Sequence, residues 1–187
     1  IIDFSKEDVK IHTAGRTDSG VHAKGQVSHF DLIRATNANE LREALNSHLK
    51  PNPIAVIDVS EVNNDFHARF SAIKRHYRYG IINRRAPLTF DKGKYWRVGK
   101  KLNSKSMIKA SKYLIGFHDF TTFRSSHCQS KSPSKTIDEI KIEQFDNEII
   151  ICVSAKSFLH NQVRSIVGSL KLVGEGKWEP KKIKEIL

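Results

Sequence analysis

Cysteine is scarce in this sequence and long apolar runs are absent, and each shortage removes a class of protein. The two cysteines, Cys128 and Cys152, are too few and too isolated for a disulfide framework or a structural zinc site. They fit a reduced, cytoplasmic setting. No stretch approaches the roughly twenty apolar residues of a membrane span, and the start lacks a charged region followed by an apolar one, so no membrane partner is expected. Internal repeats and low-complexity tracts are missing as well. The chain begins at Ile1 without an initiator methionine and stops at Leu187 inside an expected helix, so it reads as an internal piece of a longer protein.

Familiar nucleotide and metal signatures are also lacking. Glycines at 15, 20 and 25 fit neither the Gly-Lys-Ser/Thr ending of a P-loop nor the G-x-G-x-x-G of a dinucleotide site. His12, His22 and His29 have no carboxylate or cysteine beside them at ligand spacing, so no metal is expected.

What is present is positive charge. The 187 residues carry 32 lysines and arginines against 20 acidic residues, a formal charge of +12 and a pI near 9.8. Such an excess points to a polyanionic partner, nucleic acid first, and says nothing about chemistry. The length suits one ordinary domain or two small ones.

Hydrophobic periodicity predicts a helix over 38–49, with Leu41, Ala44, Leu45 and Leu49 on one face, Asn37 or Asn39 as its cap, and Pro51 and Pro53 ending it. Ile54 to Val59 reads as a buried strand, and His76 to Ile82 as a two-sided one with Tyr77, Tyr79 and Ile81 sharing a face. A helix is expected over 104–115 with Gly116 as its stop, then a hairpin of 137–142 and 148–154 around Asp146-Asn147. Val163, Ile166, Val167 and Leu170 mark a helix ending near Gly174, and Pro180 opens a last one holding Ile183, Ile186 and Leu187. Ser125 to Lys135 reads as an exposed basic loop. The mixed order indicates an α+β fold.

The densest chemistry lies in Ala14-Gly-Arg-Thr-Asp-Ser-Gly-Val-His-Ala23. Asp18 is its reactive candidate: Arg16, and a more distant arginine, would keep the carboxylate ionised by charge pairing, and an ionised carboxylate is a nucleophile. On local sequence alone the same residues are better described as a turn.

These ten residues closely resemble the catalytic motif of the tRNA pseudouridine synthase A family. Gly25-Gln26-Val27 and His29-Phe30-Asp31 resemble the strand that follows it there. Asp65-Phe66-His67-Ala68-Arg69-Phe70-Ser71-Ala72 with Arg75, Tyr77 and Tyr79 resembles a second signature. Gly116, His118-Asp119-Phe120 and Phe123 resemble a third, and Phe158-Leu159, Val163-Arg164 and Ile166-Val167-Gly168 a fourth. Three positions depart from the usual pattern: Ser19 replaces alanine, Gln162 stands where methionine is common, and Lys135 stands where arginine precedes the Thr-Ile pair. Lysine lacks the bidentate fork of arginine. The family's amino-terminal strand, with Tyr-Asp-Gly and Gly-Trp-Gln elements, would precede Ile1, and a final segment would follow Leu187.

The resemblance implies the pseudouridine synthase fold: two α/β subdomains sharing a mostly antiparallel mixed sheet, with a central active-site cleft. The boundary is expected near Asn63, giving residues 1–63 the aspartate loop and 64–187 the tyrosine strand and arginine helix. It implies isomerisation of uridine to pseudouridine in the anticodon arm of tRNA, on the downstream side of the loop, by a homodimer whose one tRNA touches both subunits. No cofactor is required. Asp18 matches the nucleophile, whether toward C1′ of the sugar or C6 of the base; Arg164 matches the arginine paired with it; Tyr77 matches the tyrosine that stacks on the base and can take the C5 proton. Arg16 carries two readings, a second charge partner for Asp18 or a wedge filling the place of a flipped nucleotide. Arg69, Lys74, Arg75, Arg78 and Lys135 are candidate phosphate contacts, with Arg69 and Arg75 alternatively internal braces of the fold and Arg69 equally suited to either part. The alternative from another class is a catalytically silent basic RNA-binding module; a metal-dependent nucleotide hydrolase using Asp18 and the histidines is a third reading.

Overall fold

Residues 1–187, all described by a computed structural model, fold as two units, Ile1–Ala72 and Ile73–Leu187. The first contains α1 (Ile2–Ser5), a two-stranded antiparallel ladder of β1 (His12–Thr13) and β2 (Ser28–His29), and α2 (Ala38–Leu49). α2 has the expected bounds because the sequence supplies its cap: the Asn37 side chain accepts the Glu40 N–H at 2.9 Å, satisfying one of the orphan donors of the first turn. The Glu7 carboxylate accepts the Ile33 and Arg34 N–H groups at 2.9 and 2.8 Å, tying the two helical segments together. Only Leu41 and Ala68 are buried apolar side chains in this unit.

The expected buried strand over 54–59 is not formed. Ile54 and Ile57 are 61% and 76% exposed, and the stretch pairs with no strand. Its midpoint is held instead by one side chain, as Asn46 donates to the Val56 carbonyl at 2.9 Å and accepts the Val56 N–H at 2.8 Å. An amide side chain thus takes the place of a ladder partner.

The second unit is built on a five-stranded sheet ordered β4-β3-β7-β6-β5, where β3 is Arg75–Ile82, β4 Trp96–Arg97, β5 Gly116–Asp119, β6 Ser134–Phe145 and β7 Glu148–Ala155. All pairings are antiparallel except β3 with β4. The β6–β7 hairpin turns where expected, with Asp146 at φ 49° between the paired Phe145 and Glu148; Asp is among the few residues that accept that conformation. A bulge between Ile137 and Glu139 leaves Asp138 extra, and its carboxylate meets Lys74 at 3.1 Å.

Alternation along β3 puts Tyr77, Tyr79 and Ile81 opposite Val153, Ile151 and Ile149 of β7 on one face. That face is covered by α3 (Ser104–Ser111), which continues as a 3-10 turn (Lys112–Leu114), by α4 (Gln162–Gly174) and by α5 (Lys182–Glu185). The core is here: Ile81, Met107, Leu114, Phe120, Phe123, Ile149, Ile151, Ile166, Leu170 and Ile183 are fully buried. The loop after Phe123 ends at Pro133, so Lys135 lies inside β6 rather than in the loop that was expected to contain it. The α+β class and the mostly antiparallel mixed sheet are therefore as the sequence led us to expect.

Candidate active site

In the first unit Asp18 sits in a turn at the far side of the 14–27 loop. Its carbonyl accepts the Val21 N–H at 3.0 Å, and Gly20 takes φ 79° inside that turn, a conformation costly to any residue with a Cβ. The loop is closed at its base by Ala14 N–H on the Val27 carbonyl at 2.8 Å and by the Gln26 amide on the Gly15 carbonyl. Asp18 is half-buried and Arg16, two residues before it, is exposed. A Cβ added at Gly15, Gly20 or Gly25 would meet no atom within 4 Å, so the loop surface is open for close approach by another molecule.

Beneath this loop three imidazole rings meet, a feature the sequence did not announce because their positions are far apart. His12 stacks on His29, centroids 5.0 Å apart, and His67 lies 5.3 and 4.6 Å from the two. Nδ1 of His29 accepts the Ala68 N–H at 3.1 Å, and Nδ1 of His67 accepts the Arg69 N–H at 3.2 Å. Both nitrogens meet their backbone donors with a lone pair. Desolvation, followed by the charges of His29, His12 and Arg69, holds the His67 pKa below its ordinary 6.5. Arg69 is exposed, its guanidinium 5.9 Å from the Phe70 ring centre.

In the second unit Tyr77 and Phe158 meet edge to face, centroids 5.0 Å apart at 81°. Arg164 stands exposed in the first turn of α4, close enough to Tyr79 for its charge to favour the phenolate. Burial outweighs that charge and pushes the Tyr79 hydroxyl pKa up. The turn into α4 is held by Gln162, which is 1% exposed: its Oε1 accepts the Leu159 N–H at 2.8 Å while its own N–H donates to the Leu159 carbonyl at 3.1 Å. This clamp fixes Phe158 on one side and Arg164 on the other. Methionine could not supply the Oε1 half of it, while the Gln162 Nε2 is buried without a hydrogen-bond partner.

The basic candidates divide. Arg75 shares the Tyr77 face of β3 and donates to the Lys156 carbonyl. Arg78, one residue on from Tyr77, points to the opposite face and is engaged there, with Nη2 3.1 Å from Glu148 and 3.3 Å from the Tyr95 hydroxyl, which itself donates to Glu148 at 2.6 Å. Hydrogen bonding to Tyr95 and then the Glu148 charge raise the Arg78 pKa further. Lys74 is paired with Asp138. Lys135 folds back on its own loop, its ammonium 3.0 and 3.2 Å from the Ser132 and Ser134 carbonyls. Beside it the Cys128 thiol, despite desolvation, has a lowered pKa because the Ser130 and His160 N–H groups and the charges of Arg124 and Lys135 favour the thiolate.

Comparison with known proteins places these residues in context. A family model described as tRNA pseudouridine synthase matches residues 1–71 and 110–187, spanning Asp18, Arg69, Lys135 and Arg164 but not Tyr77. The tRNA pseudouridine synthase A of Parvibaculum lavamentivorans is 53% identical over 184 residues, covering 98% of this chain and 75% of that protein. That of Maricaulis maris is 52% identical, covering 96% and 72%, and that of Sinorhizobium fredii is 51% identical, covering 100% and 76%.

Proposed function

The chain belongs to the tRNA pseudouridine synthase family, an isomerase family acting on uridine in tRNA, and from that membership we propose that it acts in the anticodon arm with Asp18 as the nucleophile. The reaction is balanced within the uridine itself: the bond from C1′ to N1 breaks, a bond from C1′ to C5 forms, C5 loses a proton and N1 gains one. It needs no redox partner and no energy source. It does need a group that holds one fragment while the base turns, and a carboxylate kept ionised does this.

The observation that carries the Asp18 assignment is its setting. It is half-buried, in a turn closed by its own carbonyl, on a loop whose glycines leave open space and whose tip also bears Arg16. A uridine within a stem is out of a carboxylate's reach, so the nucleotide must leave the stack, and Arg16 entering the vacancy offsets part of the few kcal/mol of unstacking. In this proposal Arg164 supplies the cation for the carboxylate, Tyr77 lays its ring on the base and takes the C5 proton, and Arg69 and Arg75 hold phosphates. Arg78 and Lys135 join them only by exchanging Glu148 and the loop carbonyls for RNA. The working enzyme is a cytoplasmic homodimer with one tRNA on both subunits, its expected subdomains 1–63 and 64–187 dividing nine residues before the two units of the fold do, at Ala72.

Isomerisation must displace the C5 hydrogen, so tritium release from an anticodon-arm tRNA labelled at uridine C5 is the direct assay. Release is expected from the wild type and is expected to vanish in Asp18→Asn with tRNA affinity kept. Folded, tRNA-binding protein that releases no tritium would instead be an RNA-binding module.

A further inference from the structure

Three lysines, Lys109, Lys112 and Lys181, line a groove of about 460 Å³ in the second unit, with Tyr113 and Pro180 as its apolar wall and Glu179 as its one carboxylate. None of these residues belongs to the group around Tyr77, Phe158 and Arg164. Lys109 lies in α3 and Lys112 in the 3-10 turn that continues it, with Lys105 four residues before Lys109. Those spacings put all three on one stripe of helical surface. The same helix buries Met107, Ala110 and Leu114, so its lysines are turned outward.

Three lysines share this groove with a single carboxylate, Glu179, which forms no ion pair with any of them. Lys171 and Lys182 are paired with Glu175 and Glu185, but the ammonium groups of Lys109, Lys112 and Lys181 join no ion pair. The α3 dipole favours cations in its last turn. It does not account for Lys181, which comes from a different segment and faces the same space. Three like charges around a groove repel one another, and a polyanion relieves that repulsion, while the Tyr113 ring offers a surface to a ribose or base.

We propose that this groove takes the sugar–phosphate backbone of the tRNA substrate, at a contact separate from the reacting uridine. The proposal rests on the family's action on tRNA and extends it to a surface with no role in the chemistry. Its test is the salt dependence of tRNA affinity for the wild type and for the triple variant Lys109→Gln, Lys112→Gln, Lys181→Gln. Each lost phosphate contact lowers the slope of log affinity against log salt by about 0.7–0.9. The variant slope is therefore expected to be shallower by about 2–3, so that between about 50 and 200 mM salt the wild type loses some twenty- to fortyfold more affinity than the variant. Turnover at saturating tRNA is expected to be equal in the two, and equal melting curves confirm that the variant folds. Unchanged slope and affinity in the variant would overturn the proposal. So would binding of a polyglutamate peptide that the variant loses while its tRNA slope stays put, because the groove would then be a protein-docking surface. Tritium release by the wild type is read separately: a wild type without release whose variant still loses slope sinks the isomerase assignment and leaves the groove standing.

Discussion

At the scale of single residues, the His12, His29 and His67 group makes the first unit sensitive to acid. His67 has its folded pKa below 6.5 while the unfolded chain titrates near 6.5, so in that window the unfolded state binds more protons. Stability is therefore retained above about pH 6.5 and lost as the pH falls through the window toward the folded value. Protonation also takes Nδ1 away from the Arg69 N–H, and His29, His12 and Arg69 oppose the new charge. On acidification, exchange of the Ala14 amide, donated to Val27 at the loop base, should slow less than its intrinsic base-catalysed rate does. His67→Phe should flatten that dependence, and an identical pH profile in the two proteins would count against the histidine account.

At the scale of elements, helix against helix packing is tight enough that one methyl group is felt. An added Cβ at Gly174, the last residue of α4, would lie 2.8 Å from the Met107 Sδ and 3.2 Å from a Leu102 methyl, and both of those side chains are buried. Gly174→Ala is expected to cost about 1–3 kcal/mol by overpacking, visible as a lowered urea midpoint with an unchanged slope. Gly168 of the same helix has no atom near its Cβ position, so Gly168→Ala is the matched control and should not destabilise. Elements of this kind were legible beforehand where local signals agreed. The α2 bounds followed from Asn37 and the leucine spacing, and the β6–β7 turn from Asp146-Asn147. The 54–59 stretch misled because a nearly continuous apolar run states only a willingness to pair, and pairing depends on a neighbour that sequence distance hides.

At the scale of the whole molecule, the apolar burial is uneven. The second unit contains the continuous core from Ile81 to Ile183, whereas the first buries only Leu41 and Ala68 among its apolar side chains. Opening free energies follow local burial and contact density. Native-state hydrogen exchange should therefore leave amides of β3, β6 and β7 protected longest, with the β1–β2 ladder exchanging orders of magnitude faster; equal protection in both would show that burial does not set local stability here.

The sequence by itself determined the class of chemistry and those local elements whose signals lie within a few residues of one another. The motif around Asp18, the signatures spaced along the chain and the periodicity of α2, α3 and α4 all depend on residues a few positions apart, whose relation the covalent chain imposes. Only the tertiary structure decided which charges are already spent. Arg78 is committed to Glu148 and Tyr95, Lys135 to carbonyls at the end of the preceding loop, and three histidines from separate segments meet in one cluster, while Lys109, Lys112 and Lys181 are left facing a groove. Each of those outcomes joins groups from separate segments or turns on which face of a strand a side chain takes. They are set by which surfaces the core brings together, which no local pattern encodes.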